Sequence, residues 1–480
     1  MAGPASPAPP TDRKVFRVGT LTYTRAQLLN VFFWLLWGDF CLHLMDNGVI
    51  PTLVPLQLEA LGASKATIGL IYGTIVNVMY FVLVPIVSTA SDRYRSRWGR
   101  RIPFLLVPTP FLALCLILLG FSQHIAMLLQ RWLPALLGGY PVVSIALFVA
   151  CVLFLLLKFF DMFPQSVYYY LWADVIPPQL MGVFGSLFRV CYAGGSLVFN
   201  YFLIGLARQH PEQIYIASAL LYLIAFVGLC LMVREGQYPP PEPVDPQLAA
   251  RGPVAAFFDV ARKYVRECFS SAFWWKYFLM NAAFQCGYQP FIINLVFLGK
   301  EIYGDTPQGL ARYGSVLALR DVVWIAIYLA LVPIMVRLHP LKAALGGYVL
   351  MMLTAIASFF LVHNPISFAV MTILTFITVA IYLGGTAALN ARMLPQQQFG
   401  QFASAGAMIF RITVAISAWG MGLVLDWTAS NRFIYLWLFI FTAIGTLLTV
   451  LVYRDWKALG GEAAYTPPVL ASGRQVHAAR

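Results

Sequence analysis

The chain has 480 residues, of which 60% are hydrophobic and only 11% are charged. Ordinary water-soluble domains carry about 25% charged residues, so this composition excludes a soluble globular protein and indicates a helical membrane protein. The formal net charge of +13 does not predict a nucleic-acid partner, because that function needs a basic face on a water-exposed domain. The seven cysteines stand singly, mostly within apolar runs, which is typical of packing residues rather than of a metal site or disulfides.

Apolar runs of about 20 residues recur along the chain, and that length lets a helix cross about 30 Å of hydrocarbon. In the first half they lie near 27–55, 67–89, 102–122, 141–163, 183–206 and 213–233. In the second half they lie near 274–298, 313–336, 341–362, 366–390, 401–425 and 431–453. The predicted fold is an all-α membrane protein with twelve transmembrane helices in two six-helix bundles.

A polar, proline-rich stretch, GQYPPPEPVDPQLAARGP, separates the two sets of runs and is typical of an extended linker. The following segment from Val254 to Lys276 places phenylalanines opposite charged residues, which predicts an amphipathic helix on the membrane surface. The first apolar run is long enough to span, so we expect it, rather than a cleavable signal, to direct insertion. The predicted parts are a tail at 1–26, a bundle at 27–233, a linker with the amphipathic helix at 234–273, a bundle at 274–453 and a tail at 454–480.

The distribution of lysine and arginine predicts the orientation. Alternate loops and both tails carry 22 of the 32 basic residues, the opposite loops carry 6, and 4 fall within the predicted spans. Basic residues accumulate on the cytoplasmic side of membrane proteins. We therefore expect a multi-pass protein of the cell (inner, cytoplasmic) membrane with both termini in the cytoplasm, which requires an even number of spans.

An internal repeat indicates that the two halves are related. ADVIPPQLMGVFGS (173–186) aligns without gaps to ARMLPQQQFGQFAS (391–404), and each segment follows the fourth predicted span of its half. Chance similarity in a biased composition is the alternative explanation. Duplication is favoured by the matching positions, and parallel six-helix repeats are the plan of major facilitator transporters.

The most specific motif is LVPIVSTASDRYRSRWGRRIPFLL (83–106), at the predicted cytoplasmic end of the second span. It resembles the corresponding loop of the sucrose transporters and of the glycoside-pentoside-hexuronide cation symporters, a branch of the major facilitator superfamily. Gly99 permits a tight turn of the backbone within this motif. A plain positive-inside anchor would also explain the arginines. The resemblance implies a cytoplasmic gate formed by Asp92, Arg93, Arg97, Gly99, Arg100 and Arg101.

Ionisable residues inside membrane spans are costly and by default indicate function. Asp39, His43 and Asp46 share one face of the first predicted helix, and a second polar stripe lies on the fourth helix. The resemblance implies that Asp39 and Asp161 hold sugar hydroxyls. Loop solvation of Asp39 and a structural Asp161–Lys158 pair are the alternatives. The predicted substrate-binding residues are Asp39, His43, Asp161, Gln165, Tyr168 and, on the seventh helix, Gln285 and Gln289.

The resemblance also bears on coupling. The sodium-binding aspartates of the symporter branch fall on Tyr80 and Val84 here, which makes sodium coupling less favoured. The sucrose-transporter branch couples to protons through a fourth-helix aspartate, and Asp161 occupies that place. Arg189, Arg411 and the Arg320–Asp321 pair either line the cavity or lock helices together.

These observations predict a secondary active transporter that moves a small polar solute, a sugar or glycoside, by alternating access with a proton. The alternatives are an uncoupled facilitator or exporter of another small solute, and a non-transporting sensor on the same fold. An enzyme is not predicted, because the sequence contains no HExxH or GxSxG motif and no paired metal ligands. The expected partners are the solute, the proton and the lipid bilayer, and no cofactor or bound metal is expected.

Overall fold

The computed structural model describes residues 16–238, 262, 264–335, 338–386 and 388–468. Each predicted span coincides with a long helix, and the twelve helices confirm the predicted fold class. In the first half they are α1 (Arg25–Ala60), α2 (Lys65–Arg93), α3 (Ile102–Gly120), α4 (Val142–Val175), α5 (Pro178–Leu206) and α6 (Pro211–Met232). In the second half they are α7 (Ala272–Tyr303), α8 (Pro307–Met335), α9 (Pro340–Leu361), α10 (Pro365–Thr386), α11 (Phe399–Thr428) and α12 (Phe433–Ala458).

Within the described residues, ten of these helices are both long enough and apolar enough to cross a membrane. Helices α7 and α8 have 32 and 29 residues, which is ample length, but hydropathy alone does not single them out. Both carry charged residues, among them Lys300 on α7 and Arg320 and Asp321 on α8. Of these, Lys300 pairs with Glu59 and Asp321 accepts from Ser196, both residues of the first bundle.

Two local elements differ from the predicted plan. Residues Phe16–Val18 (β1) and Leu21–Tyr23 (β2) form an antiparallel hairpin ahead of α1, within the segment predicted as a tail, for which no strand was predicted. Short helices Ser122–Trp132 and Pro134–Leu137 fill the connection between α3 and α4. Of the predicted amphipathic helix at 254–276, residues 254–261 and 263 lie outside the described residues; residues 262 and 264–269 are helical, and 272–276 already belong to α7.

The helices form two bundles. In the first half α3 packs on α4 and α6, and α1 packs on α5. In the second half α7 packs on α11 and α12, and α9 packs on α10 and α12. Because the number of spans is even, both described chain ends lie on one side of the membrane. We call that side proximal and the opposite side distal.

The repeated segments adopt the same local structure in both halves. In the first half α4 ends at Val175 and a short 3-10 turn, Pro178–Leu180, leads into the next span. In the second half a short helix ends at Met393 and the turn Gln396–Gln398 leads into α11. The aligned phenylalanines Phe184 and Phe402 are both fully buried. The proline that follows each helix prevents its continuation.

Small residues bring α2 and α11 together across the bundle interface on the distal side. A Cβ atom added at Gly69 would lie 2.3 Å from the carbonyl oxygen of Ala418, and one added at Gly73 would lie 2.1 Å from Ala418 Cβ. A Cβ atom added at Gly422 would lie 2.4 Å from the carbonyl oxygen of Lys65. The two backbones are therefore in direct contact, a close approach that larger residues would prevent.

Charged groups complete this distal seal. The carboxylate of Asp426, at the end of α11, accepts the backbone N–H groups of Lys65 at 2.9 Å and Ala66 at 2.8 Å. It thereby caps the N-terminus of α2, where a negative charge is favourable. Two ion pairs also cross from one bundle to the other, Glu59 with Lys300 and Arg208 with Asp305.

Candidate functional site

A cavity of about 310 Å³ lies between the two bundles, lined by residues from the central parts of the long helices. Its polar lining comes from α1, α5, α7 and α8, and its aromatic lining surrounds these polar groups. Carboxylates, amides and aromatic faces in one cavity can hold a polar solute through directed hydrogen bonds and stacking. The lining includes Asp46, Asn47, Ser196, Gln285, Gln289, Arg320 and Asp321, with Tyr72, Tyr192, Tyr288, Trp324 and Phe376.

A second cavity, of about 270 Å³, lies in the proximal half of the second bundle. It is lined by Tyr277 and Asn281 of α7 and by Asn390, and it shares Phe284 and Gln285 with the central cavity. The hydrogen bonds and ion pairs described here between the bundles all lie at the distal end or near the midplane. The central cavity is thus sealed on the distal side and adjoins a cavity on the proximal side.

A buried ionic cluster lies behind one wall of the central cavity. The ammonium Nζ of Lys158 lies 2.8 Å from Asp46 Oδ1 and 2.9 Å from Asp161 Oδ2. The hydroxyl of Tyr80 donates to the same Asp161 oxygen at 3.1 Å, and the amide of Gln165 donates to Asp46. One cation is therefore shared by two carboxylates from α1 and α4.

Local helix geometry places these groups. Asp46 lies in a widened π-helical turn of α1, Leu44–Val49, and Pro51 follows it. Such turns redirect side chains and often occur at functional sites. On α4, Lys158 and Asp161 are three residues apart and so share a face. Pro164 follows within the same helix and removes one backbone hydrogen bond there.

A second buried cluster lies nearby on α1. Asp39 is fully buried, and its Oδ1 lies 3.3 Å from His43 Nε2. The other ring nitrogen of His43 lies 2.9 Å from Asn47 Nδ2, and the ring packs against Tyr192 with centroids 4.2 Å apart. Asn47 and Tyr192 line the central cavity. Asp39 is therefore separated from the cavity by one layer of side chains.

The pair Arg320–Asp321 on α8 joins the bundles at the cavity. Asp321 Oδ1 accepts hydrogen bonds from its neighbour Arg320, the shorter at 2.6 Å. Its other oxygen, Oδ2, accepts from Ser196 at 2.9 Å and from Asn200 at 3.0 Å. Both of these donors lie on α5 of the first bundle. The Arg320 guanidinium lies over the ring of Phe376, 4.2 Å from its centroid.

The predicted substrate residues occupy different places. Gln285 and Gln289 line the cavity. Asp161 and Gln165 lie in the ionic cluster behind it. Tyr168 is fully buried and donates its hydroxyl hydrogen bond to the backbone carbonyl of Leu35, which gives it a helix-packing contact.

Sequence reasoning did not find several residues of the site. Ser196 lines the cavity, and Asn200, four residues further on α5, donates to it and to Asp321; this polar spacing in an apolar helix was the available signal. Tyr72, Tyr192, Trp324 and Phe376 also line the cavity. Nothing in their local sequence distinguishes them from aromatic packing residues, which are frequent in this chain.

The loop predicted as a gate connects α2 to α3 on the proximal side. The Arg101 guanidinium lies 2.5 Å from Asp92 Oδ1 and donates to the hydroxyl of Ser91 at 2.6 Å. Arg100 forms an ion pair with Asp174, at the end of α4, at 2.8 Å. The loop is thus tied to two helices of its own bundle. Of the remaining predicted gate residues, Arg93 and Arg97 are exposed.

Glu235, which follows α6, binds the backbone of this loop, and sequence reasoning missed it. Its carboxylate accepts the backbone N–H groups of Arg100 at 3.0 Å and of Arg101 and Ile102 at 2.7 Å each. Gly99 has a φ of +107°, and a Cβ atom there would lie 2.5 Å from Glu235 Cδ. Glycine is required at this position for its backbone conformation and for the close approach of the carboxylate.

Comparisons with known proteins agree with this architecture. The family model of the Major Facilitator Superfamily matches residues 35–418, whereas the comparison with curated protein sequences gave no match. A solved bacterial homologue of the human lysosomal transporter Spinster, inward-facing and unoccupied, is 13% identical with a TM-score of 0.62; the match covers 90% of this chain and 99% of that one. A bacterial homologue of the iron transporter ferroportin, in an inward-facing state, is 16% identical with a TM-score of 0.60 and coverages of 89% and 98%.

A D-xylose–proton symporter is 13% identical with a TM-score of 0.60, and the match covers 89% of this chain and 98% of that one. Identities this low show a shared fold alone. The family model, however, spans well over half of the chain. The chain therefore belongs to the Major Facilitator Superfamily, and it is a membrane transporter rather than an enzyme.

Proposed function

We propose that this protein moves a small polyhydroxylated solute, a sugar or glycoside, across the cell membrane by alternating access, and that a proton accompanies the solute. The central cavity is the observation that carries this proposal. Carboxylate and amide groups accept and donate to adjacent hydroxyls, and aromatic faces stack on sugar rings. Gln285, Gln289 and Asp321 supply the polar groups, and Trp324 and Tyr192 supply aromatic surface.

The size of the cavity favours a small solute. Ligand pockets in proteins span about 300–1,000 Å³, and the central cavity of about 310 Å³ is at the lower end of that range. The adjoining proximal cavity supplies an exit path. Asp39 and His43 support the cavity wall through Asn47, so in this proposal they position the site from behind.

Charge balance in the buried cluster supports proton coupling. Asp46 and Asp161 supply two negative charges when both are ionised, and Lys158 supplies one positive charge. An uncompensated charge inside a membrane protein is costly. One proton on the carboxylate pair neutralises the cluster, and Asp161, which Tyr80 also contacts, is the proposed carrier. A sodium ion would balance the same charge and is the less favoured alternative.

The proposed orientation places the proximal side in the cytoplasm, as the basic residues of the α2–α3 loop favour. In that orientation the described conformation faces inward. The ion pairs of Asp92 with Arg101 and of Asp174 with Arg100 then hold the predicted gate loop within the first bundle while the cytoplasmic side is open. A similar fold carries a sugar together with a proton in the D-xylose–proton symporter.

Counterflow in proteoliposomes tests this proposal. Purified protein would be reconstituted in vesicles loaded with single unlabelled mono- and disaccharides, and entry of the same labelled solute would be measured. Trapped labelled sugar above the level of empty vesicles is expected for at least one sugar. An amino acid and a nucleoside serve as negative controls. Counterflow with either control and with no sugar would overturn the proposed substrate class.

A further inference from the structure

Arg411 lies near the middle of α11, at the interface with α2 of the other bundle. Its guanidinium donates to Asn77 Oδ1 at 3.1 Å and lies over the ring of Tyr80, 5.0 Å from the centroid. Among the described residues no carboxylate lies within ion-pair distance of it. Burying an arginine at this depth without a carboxylate partner costs free energy, and such residues by default indicate a function.

Tyr80 connects this arginine to the buried cluster. Its ring contacts Arg411, and its hydroxyl donates to Asp161 Oδ2 at 3.1 Å. Asn77 and Tyr80 are three residues apart and so present one face of α2 to α11. Arg411 and Asp161 therefore lie on either side of a single tyrosine side chain.

Several titratable and charged groups face the cluster from the surrounding helices. From α1 comes Asp46, from α4 come Lys158, Asp161 and Tyr169, and from α11 comes Arg411. Tyrosine hydroxyls ordinarily ionise only well above neutral pH, so they do not carry the proton of the cluster. Those facing the cluster from α2 and α6 are Tyr72, Tyr80 and Tyr222.

We propose that Arg411 is a positioning residue that couples the proton on the Asp46–Asp161 pair to the contact between α2 and α11. This inference rests on the proposed proton coupling. When the proton leaves, the cluster carries two carboxylates against the one ammonium of Lys158, and Arg411 balances the excess charge across Tyr80. That attraction draws α11 towards α2. When a proton is bound the cluster is neutral, and the attraction is lost.

The seam between α2 and α11 continues from this point to the distal seal. The hydroxyl of Thr74 donates to the backbone carbonyl of Ala415 at 2.5 Å, one turn beyond Arg411. Further along, Gly73 contacts Ala418. A change in attraction at Arg411 therefore acts on the same helix pair that closes the distal side. Proton release favours the distally closed state, and protonation favours its opening.

Cysteine accessibility tests this coupling without any solute. Thr74→Cys places a thiol in the seam, and Trp427→Cys, at a position 87% exposed, serves as the reference on the distal side. Each is labelled with an impermeant maleimide from the distal side. The ratio of the two rates cancels the effect of pH on thiol reactivity. The native cysteines are buried or half-buried, and the unsubstituted chain gives their background.

We expect the ratio of labelling rates to be at least roughly fivefold higher at acidic than at alkaline pH. A factor of about five is at the lower end of the range by which one site typically changes the affinity of another. Arg411→Gln and Asp161→Asn should each give a high ratio at both pH values. Arg411→Lys, which keeps the charge, should restore part of the pH dependence. Arg208→Gln breaks a distal ion pair without touching the cluster, so it should raise labelling while the pH dependence remains.

An unchanged pH dependence in Arg411→Gln would overturn the proposal, as would a ratio in the parent chain that does not vary with pH. The result is independent of the solute. If the ratio behaves as expected but no sugar exchanges in counterflow, the coupling stands and the proposed substrate class fails. If sugars exchange but the ratio is flat, the substrate class stands and the coupling through Arg411 fails.

Discussion

Lys158 Nζ lies 2.9 Å from Asp161 Oδ2, one turn away on α4, and the same ammonium lies 2.8 Å from Asp46. The side chain points into the bundle rather than towards the membrane surface. A lysine side chain turned towards the interface would leave the buried carboxylate of Asp161 and the partly buried one of Asp46 without a cation. The ammonium of Lys158 therefore stabilises the ionised form of these carboxylates.

Replacement of Lys158 by methionine should destabilise the protein strongly. Breaking a buried ion pair by removing one partner costs about 3–5 kcal/mol, and here two carboxylates, Asp46 and Asp161, lose their cation. Thermal unfolding of the purified protein in detergent measures the effect. Lys158→Met combined with Asp161→Asn leaves one buried carboxylate and should recover part of the loss. Equal stability of the single variant and the wild type would contradict the shared-cation arrangement.

The sequence was sufficient to predict the helices and bundles because apolar runs and loop charges are local signals. It was not sufficient to predict which polar residues meet. Asp46 and Lys158 are 112 residues apart, and their contact depends on a π-helical turn in α1 that no residue pattern announces. The resemblance implied that Asp39 binds solute, but Asp39 lies behind Asn47 and His43. The rotation of each helix about its axis decides which side chains reach the cavity, and this rotation is set by packing between segments that are distant in the sequence.

Gly99→Ala should destabilise the conformation of the proximal loop between α2 and α3. The residue would take a left-handed conformation at φ +107° and its Cβ would meet Glu235, with a cost of about 1–2 kcal/mol for the backbone. We expect slower solute exchange and a lower unfolding temperature. Gly182→Ala is the matched control, because a Cβ at Gly182 meets nothing within 4 Å. Equal effects of the two substitutions would show that the Glu235 contact is unimportant.

Asp92→Asn should slow exchange while leaving the amount of inserted protein near normal. The substitution removes the charge that pairs with Arg101 at a half-exposed position, where an ion pair contributes about 1 kcal/mol or less to stability. Exchange rates and protein abundance would be measured together. Arg131→Gln, at an exposed position of the distal short helix Ser122–Trp132, is the control for loss of a surface charge. Wild-type exchange in Asp92→Asn would reduce the loop to a membrane anchor.

Gln289→Ala should weaken solute binding with little change in the maximal rate. Loss of one hydrogen bond costs about 0.5–1.5 kcal/mol, a factor of roughly two to ten in affinity, and Gln289 lines the central cavity. The concentration dependence of exchange separates affinity from rate. Gln397→Ala, at an exposed position, is the control. A fall in maximal rate with unchanged affinity would remove Gln289 from the binding site.

Impermeant thiol labelling of intact cells tests the proposed orientation. Trp132→Cys lies on the distal side at a position 76% exposed, and it should react from outside. Gln237→Cys lies on the proximal side, where the backbone N–H of Gln237 bonds to Thr20, and it should react only after the cells are permeabilised. Labelling of Gln237→Cys in intact cells would reverse the assignment of the two sides.

Proton-driven uptake and solute exchange in the Asp161→Asn variant together test the proposed proton coupling. Asparagine mimics the protonated carboxyl permanently, and Lys158 retains Asp46 as its partner, so the cluster stays neutral without a proton. Proteoliposomes with an imposed proton gradient would measure uphill accumulation, and vesicles with equal solute on both sides would measure exchange. We expect accumulation to be lost while exchange partly survives. Accumulation driven by the proton gradient in this variant would contradict this expectation.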